Sequence, residues 1–331
     1  MRTDSPKKEV CIKLNIMSKQ LSERKDTYKI LNWSSYNESL KQRGSITVWF
    51  GEDAVKSWEY QGKREQGGKI IYSDTAIKTC LIIRKVYHLK LRQTEGFMKS
   101  LVSLLGIPLA IPHYSILSRR AGKLNIAIKQ FKKQEPIHIV VDSTGLKVYG
   151  EGEWKVRQHG WSKHRTWRKL HLGVDPNTHE IVAERLTSNS VDDAEAVADL
   201  LKEIPTVVTS FAADGAYDKV KVRKQLVAKG IKQVIPPQKT AVVSKKPPDK
   251  ALLERDEAIR RIKQIGRAEW KKEVGYHKRS MAEVAMYRYK TILGDKLMSR
   301  KFENEAIEAR IGCLVLNKMT TLGMPISKKT D

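Results

Sequence analysis

Three acidic residues, Asp142, Asp214 and Glu283, stand in settings that suit phosphodiester chemistry, the last with Tyr276, Arg279 and Lys290 at fixed spacing around it. Breaking or joining a phosphodiester requires an attacking oxygen to be activated and a leaving oxygen to be stabilised in line. Two divalent metal ions about 4 Å apart do both when acidic side chains hold them. At least three carboxylates must then converge from distant parts of the chain, here separated by 72 residues (214 − 142) and 69 residues (283 − 214). Tyr276, Arg279, Glu283 and Lys290 fall at offsets of 0, 3, 7 and 14. At ~100° per residue these positions lie within roughly 60° to 80° of one another on a helix. One acid is thereby flanked by three groups able to bind phosphate, and DNA supplies the negative charge that makes metal-bound acids and cations compatible neighbours. Singly, each feature has a plainer reading. Asp142 suits a turn cap, the run DGAYD suits a turn leading to an N-cap at Asp218, and Glu283 suits a solvated helix face. Their joint occurrence is what favours chemistry.

The acids need elements to position them. After Pro136, the run Ile137, Ile139, Val140 and Val141 predicts a strand buried on both faces and ending at Asp142. Residues alternate between Arg165 and Asp175, Asp175-Pro176-Asn177 supplies a turn, and Glu180 to Leu186 returns as the second arm of a hairpin. Ser190, with Asp193 three residues on, reads as a capping box for a helix that places Ala194, Val197, Leu200, Leu201 and Ile204 on one face. Val207 to Asp214 then predicts a strand, Lys219 to Lys229 a helix closed by Gly230, and Ile231 to Ile235 a last strand. If the strands ending at Asp142 and Asp214 are neighbours, both carboxylates emerge at one edge, and the third must come from a helix packed there. Beyond the pairs Pro236-Pro237 and Pro247-Pro248, helical pattern runs from about Leu252 to Arg310, with interruptions near Gly266, Gly275 and Gly294.

Upstream, residues 1 to 27 are polar and irregular, with Met17 a second candidate start, and Tyr28 to Gly67, with Trp33, Trp49 and Trp58, reads as a mixed, extended segment. From Ser73 a helical period carries Ile77, Leu81, Phe97, Leu101, Leu104 and Leu105 to Gly106, with Asp74 as its expected N-cap. Pro108 and Pro112 break it, and a short helix from Tyr114 to about Lys123 follows, bearing Ser118, Arg119 and Arg120. The pair outlines a helix-turn-helix whose second member faces DNA, although an ordinary helical hairpin with a solvated basic end fits the same pattern.

Composition narrows the class of partner. The 331 residues hold 63 Lys and Arg against 37 Asp and Glu, a formal charge of +26, which points to a polyanion, with nucleic acid first. No apolar run approaches the ~18 residues of a spanning helix and no signal peptide is visible, so a soluble, cytoplasmic protein with no membrane partner is expected. Cys11, Cys80 and Cys313 are too few and too scattered for a disulfide framework or a four-thiolate zinc site. Residues 147 to 171 interleave Lys147, Lys155, Arg157, Lys163, Arg165, Arg168 and Lys169 with Trp154, Trp161, Trp167, His159, His164 and His171. Such a stretch can grip a cleaved end by phosphate contact and base stacking. Equally, the tryptophans are partly core and the cations solvated. The histidines form no convincing metal set.

The run YHKRSMAEVAMYRYK carries Y-x2-R-x3-E-x6-K without a gap, and VVDSTGLKVYG and FAADGAYD hold the other two acids. Around them lie YSDTAIKTCL, LRQTEGFMKSLVSLLG, WRKLHLGVD and GDKLMSRKFENEAIEA. Together these motifs resemble the DDE transposases of bacterial insertion sequences, in the family-five branch of the family four/five superfamily, from about Tyr28 to Ser327. The resemblance implies an α/β, ribonuclease-H-like catalytic core with a mixed five-stranded sheet flanked by helices, plus a mainly helical N-terminal DNA-binding domain. The expected division is 1–27 poorly ordered, 28–130 helix-turn-helix-like, 131–318 catalytic with a short insertion at about 236–268, and 319–331 a basic tail. Asp142, Asp214 and Glu283 are then catalytic and bind two Mg²⁺ ions, with Mn²⁺ as a substitute, and Tyr276, Arg279 and Lys290 contact terminal DNA. Arg119, Arg120, Arg168 and Lys169 complete the expected DNA contacts. Asp256, in ALLERDEAIRRI, stands where the family favours Asn, and the connection from Asp214 to Glu283 is too short for the β-rich insertion of some relatives, so a mostly helical insertion is expected. The implied reaction is hydrolysis at an element end to release a 3′-hydroxyl, which then attacks target DNA, both steps in line and without a covalent enzyme intermediate. The implied partners are terminal inverted repeats, target DNA and a second copy of the chain, in the bacterial cytoplasm and on the nucleoid. Two other readings remain open at this stage: a transposase-derived DNA-binding regulator that does not cut, and a ribonuclease-H-like nuclease that does not join.

Overall fold

In the computed structural model the described residues are 27–63, 70–129, 136–148, 167–244 and 249–330. The chain divides into two compact units, one of residues 1–44 with 322–331 and one of residues 45–321. In the smaller unit, strand β1 (Thr27–Ile30) pairs antiparallel with the strand Ser327–Thr330, in a register running from Thr27 opposite Thr330 to Ile30 opposite Ser327. Helix α1 (Trp33–Arg43) follows β1. The Asn32 side chain joins the two chain segments, donating to the Met324 carbonyl at 3.0 Å and accepting from the Ile326 N–H at 2.7 Å.

The larger unit opens with α2 (Ile46–Trp49) and α3 (Glu52–Lys56). With α1 these helices correct the expectation of an extended segment from Tyr28 to Gly67: Ser45 and Gly51 are extended and precede a helix each, so the turn residues there start helices. Trp49 and Trp58 are core residues, and the Trp58 indole N–H donates to the Ala110 carbonyl at 2.7 Å. The helical stretch expected from Ser73 to Gly106 is two helices, α4 (Asp74–Val86) and α5 (Leu91–Leu104), because His88 takes a left-handed φ of 54° between them. Ser73, not Asp74, caps α4, accepting from the Ala76 N–H at 3.1 Å. Helix α6 (Tyr114–Ala121) comes after residues 105–113, a connection longer than the three or four residues of a tight helix-turn-helix.

The sheet is built from β2 (Ile137–Val148), β3 (Trp167–Val174), β4 (Ile181–Ser188), β5 (Val208–Ala212) and β6 (Lys232–Val234), in the order β4-β3-β2-β5-β6. Strands β2, β3 and β4 meander antiparallel, while β5 runs parallel to β2 and β6 parallel to β5. Helix α7 (Asp193–Lys202) connects β4 to β5, and α8 (Val220–Ala228) connects β5 to β6. Asp192, not Ser190, caps α7 by accepting from the Ala194 N–H. A sixth strand corrects the expected five. Strand β2 does not end at Asp142 but continues to Val148, whereas β5 stops opposite Val140, so the far half of that edge lacks a partner. The short β7 (Lys296–Leu297) fills it, pairing in parallel with Lys147 and Val148.

Strand periodicity sorts the core. Ile137, Ile139 and Val141 pack with α7 and α8 on one face of the sheet, and Val140 and Leu146 belong to the larger apolar cluster on the other. Asp142 shares the parity of Val140 and so points to that second side. There lie α11 (Ser280–Leu293), preceded by a 3-10 turn at Tyr276–Arg279, and the long α12 (Phe302–Leu322). Between β6 and α11 along the chain, a 3-10 turn (Lys250–Leu252) leads into α9 (Leu253–Ile265) and α10 (Arg267–Glu273), with Gly266 at φ 84° between the two helices. Buried Asp256 presents both oxygens to the Ser244 N–H at 3.1 Å. Cys80 and Cys313 are buried free thiols, and burial pushes the Cys80 thiol up to about 12; Cys11 lies outside the described residues. No helix among the described residues is long and apolar enough to cross a membrane.

His171, within β3, is fully buried, and burial pushes its pKa down to about 4, with Asp193 opposing and Lys169 and Arg185 reinforcing. A folded-state pKa below the unfolded ~6.5 means stability that is present above pH 6.5 and lost as the pH falls toward 4. Native protein should therefore lose about 2 kcal/mol of unfolding free energy, relative to His171→Gln, between pH 7.5 and pH 5. Denaturant unfolding of the two proteins at both pH values checks this, and parallel pH dependence would show that His171 does not titrate as described.

Candidate active site

The parallel pairing of β2 with β5 sets Asp142 beside the chain that leaves β5 toward Asp214. Asp214 lies two residues beyond the strand, and its side chain accepts from the Ala216 N–H at 2.9 Å, capping the turn Gly215–Tyr217. The third acid, Glu283, is in the first turn of α11, on the helix that packs against β2 and β3. Arg279 links these elements. One guanidinium nitrogen donates to Asp142 Oδ2 at 2.7 Å and the other to Glu283 Oε1. Asp214 belongs to the same electrostatic neighbourhood, since it raises the pKa of Asp142, Tyr276 and Arg279.

The charges at this edge are unequally balanced. Burial raises the Asp142 carboxyl above the usual range, with Asp214 reinforcing, while the Ser143 N–H and Arg279 oppose. Burial likewise raises the Tyr276 hydroxyl, with the three carboxylates adding to it and Arg279 opposing. The Arg279 guanidinium is held up by Tyr276, Asp142, Glu283 and Asp214 against the effect of its own burial. Its charge lies 5.8 Å from the Tyr276 ring, and Lys271 lies 4.9 Å from the same ring. Tyr276, Arg279 and all three acids are thus brought together.

The other expected contacts are dispersed. Lys290, further along α11, acts electrostatically on Asp295, which is hydrogen-bonded to Lys147. Arg168 is tied to buried Glu305 at 2.6 Å and lies over the Phe302 ring at 5.1 Å. Lys169 donates to the Val191 carbonyl at 2.8 Å and to Asp193 at 3.1 Å. Arg120 is held by the Tyr72 carbonyl and Asp74, while Arg119 is exposed on α6. Lys155, Arg157, Lys163, Arg165, Trp154, Trp161, His159 and His164 lie outside the described residues. One side chain went unnoticed in the spacing pattern. Tyr287 is 70% exposed on α11, four residues after Glu283 and three before Lys290, so it extends the same stripe by one turn.

Carboxylate oxygens in this number and charge are the donors that hard divalent cations such as Mg²⁺ take. In donor type and in its unbalanced negative charge the site fits such ions. In the arrangement described, Arg279 supplies the positive charge between Asp142 and Glu283, and among the described residues no three His, Cys, Asp or Glu side chains are grouped closely enough to hold one ion.

Two family models, each described as a transposase DDE domain, match the chain, one over residues 41–151 and the other over residues 133–318. The second spans 186 residues (318 − 133 + 1), more than half of the 331. The chain belongs to this DDE transposase family. Among solved structures it is similar to a piggyBac transposase synaptic complex with hairpin DNA, at 10% identity and a TM-score of 0.37, over 85% of this chain and 73% of that one. It is also similar to the Drosophila P element transposase strand transfer complex, at 11% identity and a TM-score of 0.28, over 60% of this chain and 47% of that one. Both are distant likenesses, and the chain spans about half the length of the second.

Proposed function

We propose that the chain is the transposase of a bacterial insertion sequence of the family-five branch, which cuts DNA at the element's ends and joins the new 3′-hydroxyl to target DNA at a single ribonuclease-H-like active site. The observation that carries this reading is the linkage of Asp142 on β2 to Glu283 on α11 through Arg279, with Asp214 in the same field. Asp142, Asp214 and Glu283 are the residues to hold two divalent ions, Mg²⁺ or Mn²⁺, whose chemistry is activation of the attacking oxygen and stabilisation of the leaving one. The chain's own groups supply the rest. Arg279 would bind a phosphate oxygen with its guanidinium fork. Tyr276 donates its hydroxyl to the same backbone, its proton held more firmly by burial. Lys290 adds a cation further along α11. No serine or tyrosine nucleophile is needed, because water and then a DNA hydroxyl attack directly.

End recognition falls to residues 28–130, with Arg119 and Arg120 on α6, and catalysis to 131–318. Arg168 and Lys169 serve this function chiefly by bracing β3 through Glu305 and Asp193. Two ends must be held together for joining, so the working form is a dimer on DNA, in the bacterial cytoplasm. Tyr287 is suited to stack on an unpaired base beside the cut. Tyr287→Ala is expected to weaken binding of a pre-cleaved end about tenfold with intact-duplex binding unchanged, as read by fluorescence anisotropy; equal losses on both would deny it that role.

The test of the function is incubation of the native chain and Glu283→Gln with DNA carrying the element's own ends, in Mg²⁺ or Mn²⁺. Metal-dependent 3′-hydroxyl formation and strand-transfer products from the native chain alone are expected. Cutting without joining would leave a nuclease, and binding without either would leave a regulator.

A further inference from the structure

A second concave site lies within the larger unit, walled by α4, α5 and α6 and by the turn at residues 298–301 that leads into α12. Its cavity measures about 810 Å³. Six cations line it, Arg84, Lys90, Arg92, Arg119, Arg300 and Lys301, and none of the residues that line it is Asp or Glu. Five of these are exposed, and Arg84 is buried, with 7% of its surface exposed. The Arg84 Nε has no hydrogen-bond partner among the described residues. Its nearest acid, Glu308, is 3.8 Å away and is already committed, accepting from the Met298 and Ser299 N–H groups and the Ser299 hydroxyl while also lying 3.7 Å from Lys85. The buried carboxylate of Glu308 is thus shared between Arg84, which lines the cavity, and Lys85, which does not and whose pKa burial lowers. Burying excess charge of one sign is costly unless a counter-ion offsets it, so the chemistry of the cavity calls for an anion.

Size narrows the anion. A volume of this order encloses a small molecule or a short stretch of one strand, not a double helix. Leu81, Leu91 and Met298 add apolar surface among the cations, and Arg92 covers the Tyr114 ring at 4.6 Å, stiffening the wall. A cationic groove with apolar surface between its charges is what an unpaired strand requires, phosphates on the charges and bases on the apolar patches.

We propose that this cavity is a second nucleic-acid site, which takes the phosphates of an unpaired DNA strand. The proposal rests on the reading of the chain as a DNA-processing transposase and adds a strand-holding site away from the three carboxylates. A free nucleoside triphosphate offers the same phosphate chemistry, so the experiment must separate the two sources. It uses the full chain without divalent metal and follows fluorescent single-stranded and duplex oligonucleotides by anisotropy over a range of salt. Lys90→Ala with Lys301→Ala removes two exposed cations of the cavity. Lys229→Ala with Lys263→Ala removes the same charge from exposed positions that do not line it.

The cavity pair is expected to weaken single-strand binding by about tenfold and to lower the slope of log K against log salt by about 1.4, or about 0.7 for each phosphate no longer neutralised. The control pair should change affinity less than about threefold, as loss of general attraction alone does. Equal losses from the two pairs would overturn the cavity as a site. Binding of ATP that the cavity pair abolishes, with single-strand affinity untouched, would replace the strand with a free nucleotide and overturn the proposal too. If the native chain bound no DNA of either form, the proposed function itself would fall; if it bound DNA and the two pairs behaved alike, only the cavity would.

Discussion

Glu283→Gln is expected to slow DNA strand cleavage by at least about a thousandfold, equivalent to roughly 4 kcal/mol of transition-state stabilisation. Glutamine keeps the shape of the side chain and a hydrogen-bonding oxygen for Arg279, but it removes the charge that a divalent ion requires of its ligand. The fold has little to lose. Glu283 is 54% exposed at the side chain, in the first turn of α11, and its partner Arg279 keeps Asp142 at 2.7 Å. Stability should stay within about 0.5 kcal/mol of native, as for a surface change, and end binding should persist. Single-turnover cleavage of an end-bearing DNA, with a melting curve and a binding isotherm beside it, reads all three. Cleavage at near-native rate would mean that another residue is the third acid.

The second large effect is on stability. Arg168 was expected from the sequence to touch DNA, yet its guanidinium is bound to Glu305, which is wholly buried and has its other oxygen unpartnered among the described residues. Arg168→Ala leaves that carboxylate buried and uncompensated, a change that costs about 3 to 5 kcal/mol. Replacing Glu305 with leucine in the same chain should restore most of the loss, because the isolated charge is then gone. Denaturant unfolding of the native, single and double variants measures the coupling. A single variant that melts like native protein but binds DNA poorly would return Arg168 to the DNA-contact role.

The sequence was most legible where a residue's neighbours in the chain decide its conformation. The run 137–141, the hairpin through Asp175-Pro176-Asn177 and the helices either side of β5 follow from periodicity and turn chemistry, and the strand and helix order read from them matches the sheet. Boundaries were less legible, because they depend on which of two adjacent polar groups wins. Ser73 and Asp192 took the caps that Asp74 and Ser190 also suited. The sixth strand could not be read at all: two residues carry no periodicity, and Lys296–Leu297 is a strand only because β2 outruns β5. At the candidate site, spacing alone grouped Tyr276, Arg279 and Glu283 on one stripe. What it could not show is that Arg279 turns toward the acids, since Asp142 meets it from 137 residues away in the chain.

The pairing of Thr27–Ile30 with Ser327–Thr330 bears on how the protein is made. Contacts at a separation of about 300 residues, such as that between Thr27 and Thr330, close a very long loop and come late in folding. A ribosome exposes residues 27–44 long before their partner segment exists, whereas residues 45–321 can settle as they emerge. During that interval the strand Thr27–Ile30 has no partner on either edge and is available to a neighbouring nascent chain. Products cut short before residue 327 would leave that strand without its partner, so premature termination should send the chain toward aggregation or proteolysis.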